Sequence, residues 1–178
     1  MNRYLFTSER LGFRNWELSD LDAYTEITTD PEVMEYFPSI STRKLTEAFI
    51  KRMQNQQSKN GFCYFAVERL NAQELIGFIG LCEQTFESHF TPCIDIGWRL
   101  KKSEWGQGLA TEGAKRCLSY AFDEKNLNEV YAVASEINLP SIAVMKKIGM
   151  TLHSTFDHPL LTENERLKPC LLYVQKRT

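Results

Sequence analysis

Residues 95–122, DIGWRLKKSEWGQGLATEGAKRCLSYAF, decide how the rest of the chain is read. Ile94, Ile96, Trp98 and Leu100 alternate with less apolar neighbours, the period of a strand. A polar turn over 101–104 leads to Trp105-Gly106-Gln107-Gly108. Beyond it, Ala110, Ala114, Cys117, Leu118, Ala121 and Phe122 recur at three- and four-residue spacing, which predicts a helix with one apolar face. Glycines adopt backbone angles closed to other residues and let a ligand come close. The first amides of a helix have no internal partner, and the helix dipole adds positive charge there. Such a turn suits a phosphate group, although a tight strand-to-helix connection also needs no ligand at all. The loop does not end in the Gly-Lys-Ser/Thr of a Walker loop. Thr111 stands where a dinucleotide fingerprint has its third glycine.

The 178 residues fit one domain, 1–178, with enough chain for a substantial core. Hydrophobic residues make up 43% and charged residues 25%, ordinary for a soluble globular protein. A net charge of −2 argues against a general polyanion binder. No apolar run has the length of a membrane span, and the first residues lack a signal-peptide pattern. The five cysteines, Cys63, Cys82, Cys93, Cys117 and Cys170, form no C-x-x-C pair and are odd in number. They read as buried free thiols rather than disulfides or metal ligands, with the cytosol as the default compartment.

In order, the pattern predicts an edge strand over 4–14, a short helix over 20–27 with Ser19 as cap, and a second helix over 30–37 opened by Asp30-Pro31. A third helix covers 42–56. A hairpin of strands over 62–69 and 75–83 turns at Asn71-Ala72-Gln73. After the long helix come a strand over 129–135, a helix over 138–148 closed by Gly149, and strands over 150–157 and 167–176. This order gives a mixed α+β sheet with helices on its faces.

Residues Trp105 to Glu112 resemble the acetyl-CoA loop of the GNAT (GCN5-related) N-acetyltransferases, most of all the RimJ/RimL type that acetylates ribosomal-protein N-termini. The resemblance extends to Thr7, Arg10-Leu11 and Arg14; to Ile76-Gly77 and Gly80-Leu81; to Ile96-Gly97-Trp98 and Leu100; and to Asn138, Ser141, Lys146 and Gly149-Met150, in the family's order. It implies the GNAT acyltransferase fold, a mostly antiparallel sheet splayed in the middle. It also implies transfer of acetyl from acetyl-CoA to a primary amine by direct attack in a ternary complex, without a metal. Cofactor contacts would fall on Trp98, Leu100, Trp105, Gly106, Gln107, Gly108, Leu109, Ala110, Thr111, Asn138, Ser141 and Lys146. Among the nearby cations Lys101, Lys102, Lys115, Arg116, Lys146 and Lys147, one or two would meet the 3′-phosphate end. The acceptor wall would include Glu32, Glu35, Tyr36 and Phe37.

The family commonly protonates the leaving thiolate with a Tyr, and Met145 holds that place here. Ser141, one helical turn earlier, is the substitute the RimJ/RimL pattern implies; capping its own helix is the competing role. Asp95 takes the place of the family's frequent Glu as base, with Glu83 and Glu35 as further candidates. The acceptor, a protein N-terminus or a small amine such as a polyamine or aminoglycoside, stays open, as does monomer or homodimer. Neither nucleic acid nor membrane is expected as a partner. Two other classes remain: a catalytically weak CoA-binding regulatory module of the same fold, and an unrelated nucleotide-binding α/β domain.

Overall fold

The computed structural model describes residues 3–177. One sheet organises them, with strands β1 (Phe6–Thr7), β2 (Leu11–Arg14), β3 (Tyr64–Arg69), β4 (Glu74–Gln84), β5 (Cys93–Leu100), β6 (Glu129–Ser135), β7 (Thr151–Asp157) and β8 (Pro169–Lys176). The helices are α1 (Leu21–Thr29), α2 (Arg43–Asn60), α3 (Leu109–Ser119) and α4 (Leu139–Lys147). The sheet order is β1-β2-β3-β4-β5-β6-β8-β7. Its neighbours are antiparallel except β5 and β6, which run parallel.

The period-2 pattern of the central strands sorts residues to two faces. Phe78 packs against Tyr24 of α1 and Phe49 of α2. Its neighbour Ile79 points to the opposite face, where a Cβ on Gly113 of α3 would collide with it. Cross-strand pairing carries this division to β5: Arg99 lies opposite Phe78, and Trp98 opposite Ile79. Asp95, Gly97 and Arg99 therefore share the α1/α2 face, while Ile96, Trp98 and Leu100 face α3.

Beside this core lies a buried ionic knot. The Arg14 guanidinium forks onto Asp20 (2.8 and 2.7 Å) and gives its Nε–H to Glu68 (2.7 Å). Glu68 also accepts from Arg3 and Tyr4. Asp20 and Glu68 thus each have a cation against them, the condition under which buried charge is tolerated.

The structure corrects several sequence expectations. The strand over 4–14 is broken into β1 and β2, a hairpin in which Phe6 pairs with Phe13. Residues 30–37 form separate turns, not a helix. Asp30 accepts the Glu32 amide on its side chain and the Met34 amide on its carbonyl. Between Pro31 and Pro38 too few residues remain to repay helix nucleation. Ser19 does not cap α1; it lies in a 3₁₀ turn, Leu18–Asp20, capped by Glu17. The helix expected over 42–56 runs on to Asn60, where Gly61 ends it at φ 72°. The long helix gives way at Tyr120 to a π-helical turn, Tyr120–Glu124. The five cysteines are buried and free, as expected.

Candidate active site

β5 and β6 share a single bridge, Asp95 with Tyr131, and then diverge. The Lys101 amide bonds to Ile76 on the β4 side. Strand alternation therefore turns the N–H and C=O of Trp98 and Leu100 into the gap. One of these groups is already engaged: the Leu100 carbonyl accepts from Trp105 Nε1 at 2.8 Å. The resulting V opens into a cleft of about 540 Å³. One wall carries Trp98 to Leu100, Trp105, Gly106 and the residues 108–111; another carries Asn138, Pro140, Ser141, Ala143, Val144 and Lys147 of α4 and its cap. The segment Glu32, Val33, Glu35, Tyr36 and Phe37 closes a third side.

Gly106 (φ 73°) and Gly108 (φ 77°) are both left-handed, which explains glycine at these positions. A Cβ on Gly106 would meet nothing within 4 Å, and one on Gly108 only Arg10 Nη2 at 3.8 Å. The loop is thus shaped by backbone angle and leaves room in front of it. Gly108 caps α3 without a side-chain bond. The Glu112 amide is the first to be satisfied, by the Gly108 carbonyl, so the amides of Leu109, Ala110 and Thr111 begin the helix unpaired. Three donors, the positive helix end and open space together suit the diphosphate of a CoA-type ligand.

The loop is held from behind. Glu112 accepts from Ser8 Oγ (2.7 Å), the Arg10 amide (2.8 Å) and Arg10 Nε (2.6 Å), all from the turn joining β1 to β2. Arg10 also donates to the Gln107 carbonyl at 3.1 Å. The Gln107 side chain is occupied by Arg69 and the Ser103 carbonyl. Gln107 is therefore a brace on the outside of the loop, not a cleft residue. Glu112 and Arg10 were quoted in the sequence pattern without a role; a carboxylate one turn into the helix was the available signal.

On α4, Asn138 is the cap: its side-chain oxygen accepts the Ser141 amide at 3.1 Å. The Ser141 hydroxyl is not used for capping, and Ser141 lines the cleft. Met145 is 1% exposed and sits in the core, so the side chain in the place of the usual Tyr does not line the cleft. Lys146 is exposed outside it; Lys147 is the α4 lysine in the wall. Lys101 and Lys102 are turned to Glu74 and Glu32, and Arg116 to Glu124.

Asp95 lies at the closed end of the V, on the α1/α2 face, and does not line the cleft. Tyr64 lies across Gly97, where a Cβ would come within 3.0 Å of the ring, and its hydroxyl donates to Asp95 at 2.6 Å. Burial pushes the Asp95 carboxyl up to about 6, against the opposing hydrogen bonds from Tyr64 and Gln84. Glu83 pairs with Lys59 at 3.2 Å away from the cleft. Glu35 lines the cleft and pairs with Arg166 at 3.2 Å. Arg99 escaped sequence reading altogether. It is a cation at the penultimate position of β5, and it lines the cleft between Trp98 and Leu100.

Comparison with known proteins accords with this architecture. Residues 10–151 match the family described as Acetyltransferase (GNAT) domain. The chain is 32% identical over 160 residues to the uncharacterized N-acetyltransferase YnaD of Bacillus subtilis (strain 168), covering 89% of each. A GNAT-family acetyltransferase structure from Bacillus anthracis superimposes with a TM-score of 0.80 at 27% identity, over 96% of both chains. RimL, a ribosomal L7/L12 α-N-protein acetyltransferase solved with coenzyme A, shares the fold at a TM-score of 0.77 and 16% identity, over 97% of both chains. The splayed strands, the glycine loop at the start of α3 and these matches together make the chain a member of the GNAT acetyltransferase family.

Proposed function

We propose that the protein transfers acetyl from acetyl-CoA to a primary amine, in the manner of the RimJ/RimL branch, with both substrates held in the V between β5 and β6. The observation that carries this reading is the coincidence of three unpaired amides, at Leu109, Ala110 and Thr111, with a gap lined by the backbone of Trp98 and Leu100. Acetyl-CoA supplies the activated thioester. The 109–111 amides suit its diphosphate, and Lys147 is the cleft cation nearest in sequence to the Asn138 cap. The Trp98 backbone and the Leu100 amide remain for the pantetheine arm or the acyl oxygen, since Trp105 holds the Leu100 carbonyl.

In the transfer the amine lone pair forms the C–N bond and the C–S bond breaks. The proton lost by nitrogen leaves through water to a base, and the departing thiolate takes a proton from solvent. Ser141 Oγ, uncommitted to the helix cap, hydrogen-bonds the thiolate as it leaves. Asp95, with its carboxyl held near 6, accepts the amine proton through water along the α1/α2 face. Tyr64 keeps it oriented.

The test is release of CoA thiol across a panel of intact ribosomal proteins, peptides, amino acids, polyamines and aminoglycosides, with intact-mass analysis of enzyme and acceptor. Acetylated acceptor and unmodified enzyme are expected. An acetylated enzyme, or CoA affinity without amine-dependent release, would overturn the mechanism, the latter in favour of a CoA-binding regulatory module.

A further inference from the structure

The carboxylates of the cleft are matched by cations. Glu32 pairs with Lys102 at 2.7 Å, Glu35 with Arg166 and Glu104 with Arg69, each at 3.2 Å. Arg99, in the same cleft, makes no ion pair among the described residues. Its guanidinium stacks 3.8 Å from the Phe37 ring centroid, and Nη1 reaches the Tyr24 hydroxyl at 3.4 Å. Its Nε is buried without a hydrogen-bond partner. Arginine carries five donors in a rigid fork, and those left here exceed what one long bond to Tyr24 can use. Arg99 is half-buried, and a cation with a shielded, unpaired donor is costly, a cost that a ligand on its open edge would offset. Phe37 fixes the plane of the fork from one side through a cation–π contact, which leaves the edge of the guanidinium to the cleft.

Arg99 lies on the α1/α2 face, with Asp95 and away from the glycine loop of α3. Under the acetyl-transfer reading this is the acceptor's side. We infer that Arg99 selects an acceptor bearing a carboxylate, held by the guanidinium while the amine reaches the thioester. The inference rests on the proposed function and narrows it. An acceptor of purely cationic character, such as a polyamine, would meet an uncompensated positive charge in the wall, whereas a planar carboxylate matches the fork. Rejection of an analogue that leaves such a group unpaired is characteristically strong.

The experiment compares α-amino acids and dipeptides with the same compounds as primary amides, and with spermidine, as acceptors for acetyl-CoA. The expected kcat/KM favours the carboxylates at least tenfold, with spermidine poorest. Arg99→Gln should bring the ratio to within about threefold by raising KM for the carboxylates alone, and Arg99→Lys should keep part of the preference. Equal use of acid and amide by the wild-type protein would overturn the inference, as would an equal loss on both in Arg99→Gln with unchanged thermal unfolding. If Arg99→Gln does not fold, the wild-type ratio and Arg99→Lys decide. If no acceptor turns over, calorimetry with CoA-loaded protein and the same pairs decides. Carboxylate binding that depends on Arg99 would uphold the inference while acetyl transfer fails; no preference for the acid would overturn it.

Discussion

The indole Nε1–H of Trp105 donates to the Leu100 carbonyl at 2.8 Å, tying the glycine loop to the strand that borders the gap. Trp105 is 47% exposed, so packing alone does not hold it in place. This hydrogen bond fixes the loop on its cleft side, in addition to the Glu112–Arg10 brace behind it. Trp105→Phe keeps the ring but drops the donor. A net contribution of about 1 kcal/mol per hydrogen bond predicts a loss of roughly fivefold in acetyl-CoA affinity. Calorimetry should record this with little change in thermal unfolding.

Gly108 has room for a side chain but not the backbone angle for one. The cost of Gly108→Val is thus backbone strain at φ 77°, on the order of 1–2 kcal/mol and more for a β-branched residue. The loop can relieve it by moving the 109–111 amides. Acetyl-CoA affinity should fall at least tenfold (about 1.4 kcal/mol) in a folded protein. Unchanged affinity would remove the diphosphate from this loop.

The Asp95 carboxyl, raised by burial to about 6, makes two pH predictions. As a base it must be ionised, so the acid limb of kcat/KM should fall below about pH 6. Asp95→Asn should abolish that limb and lower the plateau by about 10²–10⁴. For stability the sign is the reverse. A carboxyl whose folded pKa exceeds its ordinary 3.8 favours the folded state while protonated, and that contribution is lost as pH rises through about 6. Melting curves between about pH 4 and pH 7 should show this decline in the wild type and a flatter profile in Asp95→Asn.

Arg14→Met should be the most damaging change outside the cleft. It leaves Asp20 buried without its fork and removes one of the cations on Glu68. Breaking such a knot costs about 3–5 kcal/mol, roughly 10 °C or more in Tm for a chain of this size. Urea denaturation should show the loss, with acetyl-CoA affinity little changed in the protein that remains folded.

The parts of this molecule that sequence reading recovers are those governed by local pattern. The alternation through Ile96, Trp98 and Leu100 and the helical spacing from Ala110 to Leu118 each follow from a face that must be buried. Gly106 and Gly108 are legible because their left-handed angles exclude other residues. The break at Ser8 to Arg10 was not, because its cause lies 102 residues away, where Arg10 meets Glu112. The turns over 30–37 resembled a helix start because Asp30-Pro31 serves both. Gln107 and Lys146 fall in matching positions, yet one braces the loop from outside and the other faces solvent. Arg99 looked like one more strand residue until its neighbours Phe37 and Tyr24, from distant segments, gave it a place.

The most direct test of transfer in the V between β5 and β6 is the pair of constants measured for Ser141→Ala: kcat from amine-dependent CoA release and acetyl-CoA affinity from calorimetry. A hydroxyl that hydrogen-bonds the departing thiolate sits at or below the low end of the about 10²–10⁴ expected of acid assistance. The account predicts a roughly ten- to hundredfold fall in kcat with affinity nearly unchanged, because Asn138, not Ser141, caps α4. An unchanged kcat, or a loss of acetyl-CoA binding in its place, would contradict it.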